Sequence, residues 1–340
     1  MLLFILAFLL LYGGLNFYVY STVVAGLGSH SLLIATSLVL LVLSPIFLRI
    51  AEARAPRWFA STIAWVGYNW MGVSFLFATI ALAMDIVQVF VPSISQGQAL
   101  LVVSILTILF STYGFLESRF VRVRFLKVRS PKLSFSEDQP FRMVQISDLH
   151  LGYGTLPGQL RNVVEKVQLL KPDLLVSSGD LFDTDLKHSG RYVKRLKSLQ
   201  PPAGKFAVSG NHEVYAGLDE ANELTRESGF QLLESDAVNV GENFYVAGVD
   251  DPEALGESTT ESAEKEAFRS IPSEAFVVLL KHRPHISQSN LNEFDLQLSG
   301  HTHGGQIFPF ILLIRIQYKI RHGLSKVAEQ SYLYVSRGTG

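Results

Sequence analysis

The stretch LQLSGHTHGGQIFPFILLI, residues 296–314, combines two patterns that decide how the chain folds around it. Its first part alternates apolar and polar residues and ends at a glycine, which is typical of a strand with a sharp exit. His301 and His303 follow that glycine directly, and an apolar run from Ile307 to Ile314 comes next. The stretch predicts a strand that delivers two imidazoles to one place, beside a segment that needs burial or lipid.

The same arrangement recurs at other strand ends. Polar clusters follow β-rich runs, and open α/β sheets bind their ligands at the carboxyl ends of strands. Imidazole and oxygen donors without thiolates suit Mn, Fe, Zn or similar divalent ions. In the D-x-H and H-x-H pairs, residues i and i+2 of an extended segment would point the same way and reach one metal region. The other clusters are Asp148 and His150 after VQIS, Asp180 after LLVSSG, Asn211 and His212 after FAVSG, and His282 after VVLLK.

From about residue 119 onward, short β-rich runs alternate with stretches of helical period. This alternation predicts an α/β body whose sheets are covered on both faces. The segment NVGENFYVAGVDD, residues 239–251, predicts a hairpin that turns at GEN. The predicted helices cover residues 157–171, 189–199, 217–228 and 259–270.

Five motifs together resemble the calcineurin-like metallophosphoesterases: ISDLHLG, SGDLFD, SGNHE, KHRP and GHTHGGQ. The sequence is most similar to the bacterial membrane-associated branch, in which spans precede the catalytic domain. The resemblance covers roughly residues 140–340 and implies a four-layer α/β/β/α sandwich that holds two divalent metals. Members of the family usually continue beyond YVSRG, whereas this sequence ends at Gly340, after all the motif residues.

The resemblance also implies a role for each motif residue. His212 is expected to protonate the leaving group, and Asp183 is expected to orient that histidine. Neither Glu213 nor the four remaining histidines (His30, His188, His285 and His322) receive a role. The expected ligands are Asp148, His150 and His303 for one metal, Asn211, His282 and His301 for the other, and Asp180 bridging both.

The composition limits the other functions. The chain has 340 residues, a formal net charge of -1 and 48% hydrophobic residues, and its mean hydropathy is +0.27. A near-neutral charge argues against nucleic acid as a partner, because no basic excess exists to neutralise phosphates. The absence of cysteine excludes disulfides and thiolate ligands. The apolar residues are concentrated in the first 118 positions.

Four apolar runs are long enough to be transmembrane helices, near residues 2–23, 31–50, 59–84 and 98–117. Arginines around 49–58 and the basic run 119–132 would lie on one side, and basic loops stay cytoplasmic. We therefore expect a bacterial inner-membrane protein with both termini inside. The predicted domains are a membrane domain (1–118), a basic linker and edge strand (119–139) and a cytoplasmic catalytic domain (140–340).

Several functional hypotheses follow. The leading one is a membrane-anchored phosphoesterase, in which hydroxide held by two metals attacks a phosphomonoester, phosphodiester or pyrophosphate. A narrower one gives it a lipid-linked substrate, as in the related nucleotide-diacylglucosamine pyrophosphohydrolases. The alternatives are a degenerate fold that acts as a protein-binding scaffold, and a transporter or receptor, which the scarcity of ionisable residues in the spans disfavours.

The apolar run after His303 has two interpretations. It can be a buried strand or helix, although Pro309 disfavours a central strand. Basic residues follow it, in the order expected of a segment at an anionic membrane surface. Under the second interpretation, Phe310 and Leu313 face lipid or the acyl chain of a substrate.

Overall fold

The computed structural model describes residues 2–136, 138–156, 158–305, 314, 316–318, 320 and 322–339. The described chain forms two compact units, the first ending at Phe120 and the second starting at Val121. Phe310 and Leu313 lie outside the described residues, so the hypothesis that they face lipid stays a prediction.

The first unit is entirely helical. Three of its helices are long and apolar enough to cross a membrane: α1, α4 and α5. The second predicted span is a pair of helices, α2 and α3, which meet at a bend of 51° and count as a fourth span only if taken together. Pro45 in the first turn of α3 lacks the N–H that would continue α2. The helices are α1 (Leu2–Leu27), α2 (Leu32–Val42), α3 (Ser44–Arg54), α4 (Arg57–Phe90) and α5 (Gln96–Glu117).

The second unit contains two sheets. One is parallel throughout, in the order β1-β2-β3-β4; the other has the order β5-β6-β7-β8-β10-β9, with antiparallel pairing only at its two outer strands. The parallel strands are β1 (Met143–Ile146), β2 (Leu174–Ser177), β3 (Lys205–Ala207) and β4 (Gln231–Leu232). The mixed sheet contains β5 (Asp236–Gly241), β6 (Phe244–Val249), β7 (Phe276–Lys281), β8 (Leu296–Ser299), β9 (Gly323–Lys326) and β10 (Tyr332–Val335).

Among the residues that the structure describes, five α-helices of four residues or more accompany the sheets of this unit. Helix α8 is bent at Gly217, whose φ of 120° and ψ of 95° are not helical. The helices are α6 (Gln159–Leu170), α7 (Gly190–Lys197), α8 (Asn211–Glu227), α9 (Pro252–Leu255) and α10 (Glu257–Phe268).

Alternating side chains of the strands build three stacked cores. Leu175 packs with the apolar faces of α6, α7 and α8. Its neighbours Leu174 and Val176 face the other way and join apolar side chains of the mixed sheet, such as Val278. The opposite face of the mixed sheet packs against α10, where Phe268 is buried. The layers are therefore helices, sheet, sheet and helix, which confirms the predicted four-layer α/β/β/α sandwich.

Two local predictions have different outcomes. The predicted hairpin is confirmed, because β5 and β6 pair antiparallel. Glu242 and Asn243 form its turn with positive φ, as a two-residue hairpin of matching twist requires. The predicted edge strand is not found: among the described residues, none from 119 to 136 belongs to a strand. Val121 packs partly against the core, but Phe125 in this segment is 82% exposed.

Candidate metal centre

The predicted site residues lie in five loops at the carboxyl ends of strands from both sheets. Asp148 and Asp180 follow β1 and β2, and Asn211 begins α8 after β3. His282 comes directly after β7, and His301 comes two residues after β8. Residues that are more than 150 positions apart in sequence therefore meet where the two sheets end.

Three of the predicted ligands form a first cluster. The ligand atoms of Asp148, His150 and His303 lie within 4.8 Å of one another. The Nε2 atoms of His150 and His303 are 3.2 Å apart, and His303 Nε2 is 3.7 Å from Asp148 Oδ1. Two imidazole nitrogens and a carboxylate oxygen thus face one small volume.

A second cluster holds the remaining predicted ligands. His282 Nε2 lies 3.1 Å from Asp180 Oδ2 and 3.3 Å from His301 Nδ1. Asn211 Oδ1 is 2.9 Å from the same His301 nitrogen. Asp180 Oδ2 also lies 3.7 Å from His150 Nε2, in the first cluster. The Asp180 carboxylate is therefore located between the two clusters, and His301 and His303 belong to different ones.

The backbone of these loops differs from the expected extended segments. Asp148, His150, Asp180, His301 and His303 all have φ between 46° and 70°. Residues other than glycine rarely adopt this left-handed conformation, and it accumulates at functional sites. The prediction that an extended backbone aligns residues i and i+2 is therefore wrong. The two pairs reach the clusters from tightly turned loops.

Two glycines are required by close approach to carboxylates. A Cβ atom on Gly300 would lie 2.3 Å from Asp148 Oδ2, and one on Gly210 would lie 2.2 Å from Asp180 Oδ1. The next residues use this proximity. The His301 N–H donates to Asp148 Oδ1 at 2.8 Å, and the His212 N–H donates to Asp180 Oδ1 at 2.9 Å. Each carboxylate is thereby fixed by the loop of another strand.

His212 and Asp183 lie together beside the first cluster. His212 Nδ1 is 3.3 Å from Asp183 Oδ1, and its ring contacts that of His150 edge to face at 4.4 Å. Burial lowers the pKa of His212, but the hydrogen bond to Asp183 and the charge of Asp180 outweigh it and raise the pKa above its usual value. The arrangement favours a protonated imidazole.

The donor set fits divalent cations. His282 Nδ1 is 2.8 Å from the Ser178 carbonyl, so it carries the proton and turns Nε2 toward the cluster, as in metal-ligating histidines. Burial opposes a charge on His282, yet Asp180 raises its pKa to about 10. The nearby carboxylates therefore favour a positive charge at the position of the His282 ring. Imidazole, carboxylate and amide donors together suit ions such as Mn, Fe or Zn.

Comparison with known proteins identifies the family. The family description "Calcineurin-like phosphoesterase" matches residues 141–305. An uncharacterized metallophosphoesterase of Aquifex aeolicus is 34% identical over 239 residues, which cover 69% of this chain and 90% of that protein. The chain belongs to the calcineurin-like metallophosphoesterase family.

Two further relatives resemble this metallophosphoesterase over part of their length. An uncharacterized metallophosphoesterase of Campylobacter jejuni is 34% identical over 220 residues, covering 64% of this chain and 58% of that protein. A Danio rerio protein named as a transmembrane protein with metallophosphoesterase domain is 32% identical over 211 residues, covering 58% of this chain and 48% of that protein. Such relatives and the apolar helices indicate membrane association.

Sequence reasoning missed the role of Glu213 in this metallophosphoesterase. Its buried carboxylate accepts N–H groups from Gly210 at 2.8 Å and from three consecutive residues of the Asp180 loop. These donors are the N–H groups of Asp180, Leu181 and Phe182. Glu213 is the third residue of α8, where a glutamate commonly reaches back to the helix start. A glutamate three residues after Gly210 therefore indicates a helix that begins at Asn211. The predicted helix start at residue 217 was wrong, because Gly217 interrupts the helical pattern.

Proposed function

We propose that the protein is a membrane-anchored, two-metal phosphoesterase that hydrolyses a phosphomonoester, phosphodiester or pyrophosphate bond. The position of Asp180 between two clusters of imidazole and oxygen donors carries this proposal. Asp148, His150 and His303 would hold one ion, and Asn211, His282 and His301 the other, with Asp180 shared. When bound, such ions stabilise phosphoryl oxygens and lower the pKa of water.

The protein's own residues would supply the proton for the leaving group. His212 Nδ1 is engaged by Asp183, which leaves Nε2 for the substrate and favours the charged ring. An alkoxide leaving group needs a proton as the bond to phosphorus breaks, and a positioned imidazolium provides it. Asp183 would act through His212 by fixing its ring. The presence of every predicted ligand and of this histidine argues against a degenerate scaffold.

The membrane unit would act as a tether on the cytoplasmic side of a bacterial inner membrane. Support comes from Arg49, Arg54 and Arg57 and from the basic run 119–132, because such residues stay cytoplasmic. A tethered site close to a bilayer favours substrates that are themselves in the bilayer. We therefore include a lipid-linked phosphoester as the substrate class that fits the tether.

The proposed function is tested by metal removal and by a substitution at the shared carboxylate. A phosphomonoester, a phosphodiester and a pyrophosphate are assayed, and we expect chelation to abolish hydrolysis of those that the protein cleaves, and restoring Mn, Fe or Zn one at a time to recover it. Asp180→Asn should abolish turnover with every metal, because the substitution removes the negative charge between the clusters.

His188→Asn is the matched control for that substitution. His188 is more than half exposed, its Nδ1 is 2.6 Å from Asp185 Oδ1, and it belongs to neither cluster. This variant should keep normal activity. Full hydrolysis by the chelated protein, or by Asp180→Asn, would refute the two-metal function.

A further inference from the structure

A second set of side chains borders the metal centre on the side of His212. The Tyr215 ring contacts the His212 ring with centroids 5.7 Å apart, and the tyrosine is 58% exposed. Its hydroxyl donates to Glu253 Oε1 at 3.4 Å. Arg283, which follows His282, also donates to Glu253 Oε1, at 3.1 Å. An exposed aromatic ring and a carboxylate thus stand next to the candidate acid.

Arg283 and Asp251 fix the position of Glu253. Arg283 Nε donates to both oxygens of the buried Asp251, at 3.1 and 2.9 Å, and Arg283 Nη2 holds Glu253. The Asp251 side chain in turn accepts the backbone N–H of Glu253 at 3.0 Å. Among the described residues, Glu253 Oε2 has no hydrogen-bond partner, and the side chain is 42% exposed. One preorganised acceptor oxygen is therefore open to a ligand.

The charges of this group restrict which ligand it can take. Asp251 and Glu253 carry two negative charges against the single positive charge of Arg283, so these three side chains are negative together. A phosphate oxygen placed against the open Glu253 Oε2 would be repelled by that carboxylate. A plain alkyl chain would leave the carboxylate without a partner, which is unfavourable once water is displaced. A neutral ring with hydroxyl groups can stack on the Tyr215 ring and donate a hydrogen bond to Glu253 Oε2.

We propose that Tyr215 and Glu253 form a leaving-group subsite that binds a neutral polyhydroxylated ring, such as a sugar. The ring stacks on Tyr215 while a hydroxyl donates to Glu253 Oε2. Since His212 would protonate the leaving oxygen, a group that contacts both Tyr215 and His212 is the departing one. This inference rests on the proposed function and adds the chemical class of the leaving group.

Binding of two phosphonates to the full chain loaded with Mn tests the subsite. Glucosylmethylphosphonate carries a sugar ring and butylphosphonate carries an alkyl chain, and neither contains an ester bond to phosphorus that could be hydrolysed. We expect calorimetry to give a Kd about tenfold lower for the sugar compound in the natural protein. The ratio compared is the Kd of butylphosphonate divided by the Kd of glucosylmethylphosphonate. Tyr215→Ala should bring this ratio near one, and Glu253→Gln should lower it several-fold. Tyr215→Phe keeps the ring and should keep most of the ratio.

Tyr332→Ala is the matched control, because Tyr332 is a partly exposed tyrosine at the start of β10, away from the carboxyl ends of the strands. Tyr332→Ala should give the same ratio of the two Kd values as the natural protein. A ratio that Tyr215→Ala and Glu253→Gln leave unchanged, or failure of both phosphonates to bind, overturns the subsite. Hydrolysis of a phosphomonoester, a phosphodiester and a pyrophosphate by the same samples separates the outcomes: the absence of all three activities counts against the proposed function, and hydrolysis of any of them with an unchanged ratio counts against the subsite alone.

Discussion

At the scale of single residues, the chemistry depends on how each imidazole is held. The Ser178 carbonyl fixes His282 through Nδ1, whereas Asp183 holds His212. A carbonyl partner keeps the proton on Nδ1 and leaves Nε2 facing the cluster as a possible metal ligand, and a carboxylate partner favours the protonated ring of an acid. The different hydrogen-bond partners of the two histidines thus support the different roles that we propose for them.

The role of His212 can be tested with leaving groups of different acidity. His212→Ala should retain metal but lose about 10²–10⁴-fold in rate on an alkyl phosphoester, as is usual when a general acid is removed. On a p-nitrophenyl ester the loss should be much smaller, because nitrophenolate departs without a proton. Rates for both esters are measured alongside His188→Ala, which should match the natural protein. Equal losses on the two esters would contradict the assignment.

At the scale of elements, α8 joins two loops of the site through its first turn. Glu213 connects the helix start at Gly210 with the backbone of the Asp180 loop, all within buried surroundings. An acceptor that serves four N–H groups is difficult to replace, because each unsatisfied buried donor costs about 1–3 kcal/mol. Glu213 therefore determines where Asp180 and Asn211 lie relative to each other.

Glu213→Gln should weaken metal binding without removing a ligand. The amide NH₂ group would face N–H donors that now meet a carboxylate oxygen, so the Asp180 loop should shift. We expect about 10–100-fold weaker metal affinity, as is typical when a residue supporting the ligands is changed. Competition with a fluorescent chelator measures the affinity. Glu227→Gln at the exposed end of α8 is the control, and unchanged affinity in Glu213→Gln would show that the loop is held by other contacts.

Lys205 links the ends of two helices. Its Nζ donates to the Leu196 carbonyl at 2.9 Å and the Ser228 carbonyl at 2.6 Å, at the carboxyl ends of α7 and α8. Burial, with a smaller contribution from Lys197, lowers the pKa of Lys205 to about 8. Above that pH the folded protein loses the proton, whereas the unfolded chain keeps it until about pH 10.4. The contribution of Lys205 to stability therefore rises with pH across this window.

A comparison of melting temperatures at two pH values tests this behaviour. The Tm of the natural protein minus that of Lys205→Met should increase between pH 7.5 and pH 9.5, at one heating rate in detergent. Groups other than Lys205 titrate equally in both proteins and cancel in the difference. The exposed Lys194→Met should give a difference that does not change with pH. A difference for Lys205→Met that does not change with pH would mean that the buried amine stays charged.

The sequence predicts the elements of the fold better than the contacts of the site. Strands such as β7 are recognisable because their residues are apolar throughout and polar residues follow at once. The left-handed loops and the start of α8 were missed, because they depend on glycines and carboxylates that meet only in three dimensions. Tyr215 and Glu253 gave no local signal, since each is an ordinary residue on a helix surface until His212 and Arg283 are placed beside them.

At the scale of the whole molecule, the bend between α2 and α3 does not change which side of the membrane is predicted for the two basic regions. If the pair spans the membrane, the basic residues near 49–58 and 119–132 lie on the same side as the N-terminus. If the pair enters and returns, both basic regions still share one side, and only the N-terminus changes side. The charge rule thus supports the proposed cytoplasmic location of the second unit under either arrangement.

Reporter fusions test this topology. A phosphatase reporter that is active only after export should be silent when fused after residue 130. The same reporter fused after residue 92, in the loop between α4 and α5, should be active and serves as the control. An N-terminal tag should be inaccessible from outside if α2 and α3 span together, and accessible if they return. Strong activity after residue 130 would reverse the proposed orientation.

The left-handed backbone at the candidate metal centre sets stability against function in any engineering of this protein. Glycine would relieve strain of about 1–3 kcal/mol at a position such as His150 or His303, but it carries no ligand. A library selected only for heat resistance would therefore enrich glycine at the positions that the chemistry needs most. Stability screens on this scaffold must include a selection for metal retention, because the most heat-resistant variants would otherwise be the inactive ones.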